Sequence, residues 1–347
     1  MSAKPHLQSL IFEVTQRCNH TCLHCYNVWQ GEPSSPPAHY PRGELDTTQT
    51  LHLLAKALEE TDCHHVTLTG GEPLLRADLS ILLDFLRERN VQSTIISNGR
   101  LLNKQTAISL IDHGVALFEL PLLSHQREIH DRLSAAPGAW DSVLAAMTRI
   151  RLHHGQVITA FVATRVNIGH LYETIKLAFA FGARAIMFNR FNPGGRGRTY
   201  LHELLPSIEQ VREALTVAES ASVEFGIPIS CSIPIQPCLI DTSTFPHLGF
   251  GYCAAGSERA YYTLDPLGNV RPCNHSTTIL GNLFEESFGN LVSSEKLKGF
   301  VNAFPAKCKV CKQRATCQGG CKAAGQVCYG SLDAIEPFLR QEQYVRL

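Results

Sequence analysis

The alternation of short apolar runs with helical patterns across the first two-thirds of the chain is what most constrains its fold. Six of these runs are short, apolar and partly β-branched, as buried parallel strands are. They are Leu10–Val14, Val66–Thr69, Thr94–Ser97, Ala116–Leu120, Ile158–Ala163 and Ala185–Phe188. Strands that alternate with helices predict an α/β fold with a parallel sheet. The pattern itself does not say whether that sheet is open or curled into a barrel.

Helix signals lie between these strands. Asp46 with Gln49, and Ser207 with Gln210, have the spacing of a capping box at a helix start. One helix face is predicted by the i, i+3, i+4, i+7 spacing of Leu79, Leu82, Leu83 and Leu86. Gly182 is placed to end the helix before the sixth strand.

Charge and hydropathy limit the partners of the protein. The 347 residues include 31 Lys and Arg and 31 Asp and Glu, so the formal net charge is zero. Such a balance gives no electrostatic reason to bind nucleic acid or an anionic membrane. No apolar run approaches the roughly 18 residues of a membrane span, and the N-terminal segment lacks the apolar core of a signal peptide. We therefore expect a cytoplasmic protein that binds neither nucleic acid nor a membrane.

The cysteine content points to metal or redox chemistry. Thirteen cysteines, an odd number in a long chain without signs of secretion, argue against a disulfide framework. Nine of them lie between Cys231 and Cys328, where prolines cluster and helical periodicity fades. We expect a domain boundary there, with an α/β domain over residues 1–230 and a small domain organised by metal sites over residues 231–347.

Three cysteines follow the first predicted strand with the spacing C-x3-C-x2-C. Cys18, Cys22 and Cys25 on one tight loop can hold three irons of a cubane cluster, which leaves the fourth iron for another ligand. A zinc site is the alternative, with His20 or His24 completing the four ligands that zinc prefers.

Two polar turns follow the next two strands. Gly70, Gly71 and Glu72 belong to a GGEP turn, and Ser97 and Asn98 to an SNG turn. Glycines let a backbone approach a ligand closely, and a carboxylate can accept hydrogen bonds from an ammonium group. Either turn by itself is consistent with a simple strand end. Together with the cysteine loop they occupy the carboxyl edge of a parallel sheet, where ligands bind.

Over roughly residues 8 to 200, these three motifs resemble the radical S-adenosylmethionine (SAM) superfamily. The resemblance implies a partial (β/α)6 TIM-like barrel and a [4Fe–4S] cluster held by Cys18, Cys22 and Cys25, whose unique iron chelates SAM. Gly70, Gly71 and Glu72 would contact the amino group of SAM, and Ser97 and Asn98 its ribose or carboxylate. The family cleaves SAM to a 5′-deoxyadenosyl radical that abstracts a hydrogen atom from substrate, and it takes electrons from a reductant such as flavodoxin or ferredoxin.

A second cysteine pattern lies near the C-terminal end. Cys308, Cys311, Cys317 and Cys321 read C-x2-C-x5-C-x3-C, and Cys253 and Cys273 frame Gly268 upstream. The four-cysteine run alone is also consistent with a zinc ribbon. Over residues 250 to 340, the whole pattern resembles the SPASM domain, which implies one or two auxiliary clusters. Cys253, Cys273 and Cys321 would bind the nearer cluster, and Cys308, Cys311 and Cys317 the outer one.

The pattern departs from that family in two places. The last ligand is expected near residues 335–339, but no cysteine occurs there. Cys328 is the later cysteine, so it either substitutes or the outer cluster is incomplete. The nearer cluster lacks an obvious fourth ligand. Cys238 or Cys231 could fill it, or one iron could stay open for substrate, and Cys231 is also consistent with a buried small residue.

Three functions remain open. Modification of a peptide by oxidation or cross-linking is the first, because many SPASM enzymes mature peptides. Tailoring of a cofactor, tetrapyrrole, sugar or antibiotic precursor is the second, and a non-catalytic metal-organised protein is the third. Asn274 stands where sulfatase maturases have a catalytic aspartate, which argues against that subgroup, although His275 could serve as a base. Glu119, at the end of the fourth strand, is a candidate contact for substrate or SAM.

Overall fold

The computed structural model describes residues 4–30 and 40–341. The strands there are β1 His6–Leu7, β2 Ser9–Thr15, β3 Asp62–Cys63, β4 His65–Gly70, β5 Gln92–Ile96, β6 Val115–Pro121, β7 Val157–Ala163, β8 Ile186–Arg190, β9 Ile229–Cys231, β10 Leu248–Phe250, β11 Tyr261–Leu264, β12 Asn269–Arg271 and β13 Gly281–Asn282. The helices are α1 Thr47–Glu60, α2 Leu79–Glu88, α3 Lys104–Asp112, α4 Arg127–Ser134, α5 Ala139–Leu152, α6 Leu171–Ala180, α7 Leu201–Leu204, α8 Ile208–Phe225, α9 Phe288–Ser293, α10 Glu295–Asn302, α11 Ala306–Lys309, α12 Arg314–Cys317, α13 Lys322–Tyr329 and α14 Pro337–Arg340.

All six predicted strands are present and form one parallel sheet. They are β2, β4, β5, β6, β7 and β8, and each pairs in parallel with the next. Their inward side chains, such as Phe118, Phe161 and Phe188, are almost fully buried. Because every strand runs in the same direction, the loops that follow β2, β4 and β5 emerge at one edge. The cysteine loop, the GGEP turn and the SNG turn are therefore neighbours.

The predicted helix signals are confirmed. Asp46 and Ser207 each cap a helix, α1 and α8, with both hydrogen bonds of the capping box present. The leucine stripe of α2 is buried at all four positions. Gly182 follows the end of α6 with φ +86°, a left-handed conformation that glycine adopts without strain.

The C-terminal region extends both edges of this sheet. β9 and β10 add parallel strands beside β8, while β11 pairs in parallel with β2 and continues into the antiparallel strands β12 and β13. The expected boundary between residues 230 and 231 falls inside β9, so the division into two domains stays a prediction. In the part of the chain that the structure describes, no helix is both long enough and apolar enough to cross a membrane.

Candidate active site and cluster sites

The loop after β2 brings the three N-terminal cysteine thiols together. Cys22 and Cys25 are buried against one another and against Cys18, and their charges repel, so the pKa of Cys25 is raised to about 11, mainly by burial. Across residues 4–30 and 40–341, no three His, Cys, Asp or Glu side chains converge closely enough for a single metal ion. A buried trio of thiols is costly to ionise without a cationic partner. The donor set therefore fits a metal group that takes three thiolates and is larger than one ion.

Neither histidine of the loop completes a zinc site in this arrangement. Burial lowers the pKa of His20 and of His24 to about 4, so both rings are neutral near pH 7. His20 is also influenced by Arg100 and Asp131, which lie outside the cysteine loop. This arrangement favours the iron–sulfur interpretation over zinc.

The two glycines of the GGEP turn are required by contact with the cysteine loop. A Cβ atom on Gly70 or Gly71 would collide with the carbonyl oxygen of Thr15 or Arg17, respectively. Across this contact the amides of Gly71 and Glu72 each donate a hydrogen bond of 2.8 Å to those same carbonyls. This packing requirement is independent of any ligand, and the contact with SAM stays a prediction.

Glu72 braces two turns from a fully buried position. Its carboxylate accepts hydrogen bonds from the Ser97 hydroxyl at 2.9 Å and from the amides of Asn98 at 2.8 Å and Leu74 at 3.1 Å. Burial raises the pKa of Glu72 to about 7. Asn98 in turn donates to the side chain of Asn19 at 2.7 Å, which joins the SNG turn to the cysteine loop. Sequence reasoning expected Glu72 to face an ammonium group and did not foresee this brace.

The glycine- and arginine-rich segment after β8 is ordered against the cysteine loop. Residues Gly195–Arg198 form a 3₁₀ helix, and the Gly197 amide donates to the Cys25 carbonyl at 2.9 Å. The Arg196 guanidinium lowers the pKa of Cys22 and of Cys25, against the larger effect of burial. Arg196 therefore stabilises negative charge at this loop, although the sequence predicted only a flexible basic segment.

The cysteines predicted for the nearer auxiliary cluster are brought together. Cys253, Cys273 and Cys321 all lie close enough to Tyr261 of β11 for their charges to raise its pKa. Burial, followed by the charges of Cys321 and Cys253, raises the pKa of Cys273 to about 12. These thiols, like those of the first loop, suit a group that binds thiolates.

A chain of contacts joins the first cysteine loop to this second set. The rings of Tyr26 and His275 are 4.1 Å apart, and the Asn274 amide donates to the Tyr26 hydroxyl at 3.0 Å. The Asn192 amide nitrogen lies 3.1 Å from Nδ1 of His275 and 3.3 Å from the sulfur of Cys321. Burial lowers the pKa of His275 to about 3, which makes it a weaker base than the sequence suggested.

Glu119 of β6 faces the same interior. Its charge acts on Tyr26, and burial alone raises its pKa to about 7. A carboxyl group that titrates near neutral pH within a barrel can hold or accept a proton there.

Two buried ion pairs fix the backbone beside two cysteines of the nearer set. Arg271 pairs with Glu13 of β2 and donates to the carbonyls of Asn274 and Ser276, just after Cys273. All of these groups lie on or beside the sheet edge where β11 meets β2. The sequence offered no signal for this pair, because its partners are 258 residues apart.

The second pair acts at the opposite edge of the sheet. Arg190 of β8 lies 2.7 Å from Glu336, and their side chains are 0% and 1% exposed. The Glu336 carboxylate also accepts a hydrogen bond of 2.8 Å from the Cys321 amide. Each pair therefore ties a cysteine of the nearer set to a strand of the barrel.

The remaining C-terminal cysteines divide between two places. The charge of Cys311 acts on Cys308, and that of Cys308 acts on Cys317, so the predicted outer triplet is assembled. Cys328 lies instead beside Cys321, whose charge, with that of Glu336, helps to raise its pKa. Cys231 is 2% exposed, in agreement with its interpretation as a buried small residue.

Two family sequence models match the chain. The model of the radical SAM superfamily matches residues 12–178, and that of the SPASM iron–sulfur cluster-binding domain matches residues 253–318. The first range contains the cysteine loop and both turns, and the second contains Cys253, Cys273 and the outer triplet.

Similar proteins of known activity match nearly the whole chain. PqqA peptide cyclase of Gluconobacter oxydans is 25% identical over 97% of this chain and 91% of its own length. AdoMet-dependent heme synthase of Oleidesulfovibrio alaskensis is 25% identical over 96% of this chain and 87% of its own. Mycofactocin maturase MftC of Mycobacterium ulcerans is 28% identical over 94% and 86%.

Solved structures share the fold. Streptococcus suis SuiB bound to its precursor peptide SuiA superposes with a TM-score of 0.72 at 15% identity, covering 98% of this chain and 76% of that one. AnSMEcpe with bound AdoMet and a peptide gives 0.73 at 18% identity, covering 98% and 95%. With both cysteine sets and both turns in place, the chain belongs to the radical SAM superfamily of enzymes and carries an iron–sulfur cluster-binding SPASM domain.

Proposed function

We propose that this radical SAM enzyme oxidises or cross-links a peptide. The observation that carries the proposal is the unbroken contact from Tyr26, beside Cys25, through His275 and Asn192 to the sulfur of Cys321. When bound, SAM and its [4Fe–4S] cluster supply a 5′-deoxyadenosyl radical that removes a hydrogen atom from the substrate. Oxidation of the substrate then needs an acceptor for a second electron, and a cluster at Cys321 would lie at the end of this contact chain.

The residues divide this work between two ends of the contact chain. Cys18, Cys22 and Cys25 would hold the SAM-binding cluster, with Arg196 favouring its negative charge. Cys253, Cys273 and Cys321 would hold the nearer auxiliary cluster, and Cys308, Cys311 and Cys317 the outer one. Glu119 would hold or accept the proton that an oxidised substrate releases, since its pKa of about 7 suits that exchange. The expected reductant is flavodoxin or ferredoxin, and the expected compartment is the cytoplasm.

The peptide substrate is supported by similar proteins. A PqqA peptide cyclase and mycofactocin maturases are matched over at least 94% of this chain, and SuiB is solved with a precursor peptide. Tailoring of a small molecule is the second candidate, because a heme synthase is matched equally well.

A product analysis distinguishes the two candidates. The iron-loaded enzyme, SAM and a reductant would be incubated with a short peptide encoded beside its gene or, separately, with a tetrapyrrole. A peptide that loses two hydrogens as one 5′-deoxyadenosine forms would support the proposal. Conversion of the tetrapyrrole with an unchanged peptide would overturn it.

A further inference from the structure

The outer cysteine triplet is one ligand short of a full set. A [4Fe–4S] cluster is ordinarily held by four cysteine thiolates, and Cys308, Cys311 and Cys317 supply three. The segment in which the fourth is expected contains Phe338 and Leu339, which are 0% and 1% exposed and packed as apolar core. A complete outer cluster therefore needs a thiol from another part of the chain.

Cys328 lies on the wrong side to supply it. The charged groups that act on its thiol are Arg198, Glu336 and Cys321. Cys321 belongs to the nearer set, and none of these groups belongs to the outer triplet.

The segment between β9 and β10 is held against the outer triplet. The Pro234 carbonyl accepts a hydrogen bond of 2.8 Å from Arg190, and the Gln236 side-chain amide donates to Glu336. Gln236 also lies directly against Gly320, where a Cβ atom would collide with its amide nitrogen. The neighbouring Gly319 lies against Cys308, since a Cβ there would be 3.8 Å from that of Cys308.

A tight turn then presents Cys238 at this place. The amides of Leu239 and Ile240 donate to the Gln236 carbonyl at 2.9 and 3.1 Å, so the chain reverses around residues 237 and 238. Cys238 is exposed at the turn, and among the charged groups around Cys308 it has the largest effect, ahead of Cys311 from the same motif. Two observations, packing and charge, thus put Cys238 beside Cys308.

We propose that Cys238 is the fourth ligand of the outer auxiliary cluster, together with Cys308, Cys311 and Cys317. The inference rests on the proposed assignment of that triplet to a cluster. It replaces a ligand that lies downstream in the SPASM pattern with one from the loop that leaves the barrel sheet, and it ties that loop to the cluster.

Differential alkylation tests the assignment without measuring activity. The iron-loaded protein and the same protein after anaerobic iron removal would be treated with iodoacetamide, and each cysteine would be quantified by mass spectrometry. Cys238 is exposed, so we expect rapid alkylation in the iron-free protein and at least about tenfold protection when iron is bound, in parallel with Cys311. Buried Cys231 should react slowly in both.

The outcomes separate the ligand from the cluster. Equal alkylation of Cys238 in both forms, with Cys308, Cys311 and Cys317 protected, would overturn the proposal and leave the triplet intact. Equal alkylation of all four would show that no outer cluster forms, which rejects the triplet and Cys238 together.

Iron content provides an independent test. In a Cys18→Ala, Cys22→Ala, Cys25→Ala background, about eight irons are expected from two auxiliary clusters. Adding Cys238→Ala should lower this to about seven if a three-iron cluster remains, or about four if the cluster is lost, with a changed electron paramagnetic resonance spectrum. Adding Cys63→Ala, remote from these sets, is the control. An iron content and spectrum for Cys238→Ala that match the control would refute the assignment.

Discussion

Glu336→Gln tests whether the buried pair with Arg190 holds the SPASM domain on the barrel. Gln keeps the shape and one acceptor oxygen, so the hydrogen bonds from Cys321 and Gln236 are only partly lost. The charge is lost completely, which leaves a guanidinium that is 0% exposed without its counter-charge. Breaking one side of a buried pair costs about 3–5 kcal/mol. A loss of that size corresponds to a thermal midpoint lowered by about 5–10 °C.

The assay is thermal unfolding of the iron-loaded enzyme without oxygen, with iron measured on the same samples. Glu295→Gln is the matched control, because its ion pair with Lys298 is exposed and such pairs contribute at most about 1 kcal/mol. We also expect the double change Arg190→Met, Glu336→Leu to lower the midpoint less than Glu336→Gln, since no buried charge remains. The reasoning is refuted if Glu336→Gln unfolds at the same temperature as Glu295→Gln.

Three further changes have defined outcomes. Gly71→Ala should abolish formation of 5′-deoxyadenosine, because its Cβ would collide with the Arg17 carbonyl, whereas Gly289→Ala has open space and should keep wild-type formation; equal activity of the two would contradict the packing argument. Arg196→Gln should lower the reduction potential of the SAM-binding cluster in a spectroscopic redox titration, because a cation beside Cys22 and Cys25 stabilises the added electron; an unchanged potential would remove Arg196 from that role. Glu119 has a raised pKa of about 7 in the folded chain, so its favourable contribution to stability is complete below about pH 4.5 and is lost as the pH rises through 7. Glu119→Gln should therefore raise the thermal midpoint at pH 8 relative to wild type and lose that advantage at pH 4.5, and a pH-independent difference would argue against a buried titrating carboxyl.

Local signals in the sequence were enough to predict the barrel. Strand and helix periodicity depends on neighbouring residues, so all six strands and both capping boxes are present as predicted. The direction of parallel strands then brings the cysteine loop together with the turns at Gly71 and Ser97, because their carboxyl ends share an edge. The spacing of Cys253, Cys273 and Cys321 predicted their convergence only through the family pattern.

Long-range contacts could not be predicted in the same way. Arg271 and Glu13 are 258 residues apart, and Arg190 and Glu336 are 146 apart, so no local pattern links them. Sequence reasoning considered Cys238 for the nearer cluster, whereas the turn that follows Gln236 puts it beside the outer triplet. Its position depends on how the C-terminal region folds back onto the barrel.

Reductive SAM cleavage is the most direct test of the account. The protein would be purified without oxygen, its iron, sulfide and zinc quantified, and 5′-deoxyadenosine measured after reduction with SAM present. The account predicts about twelve irons per chain, from three clusters of four irons each, and deoxyadenosine that disappears in the Cys18→Ala, Cys22→Ala, Cys25→Ala variant. Bound zinc in place of iron, with no deoxyadenosine from the reduced wild-type protein, would contradict it.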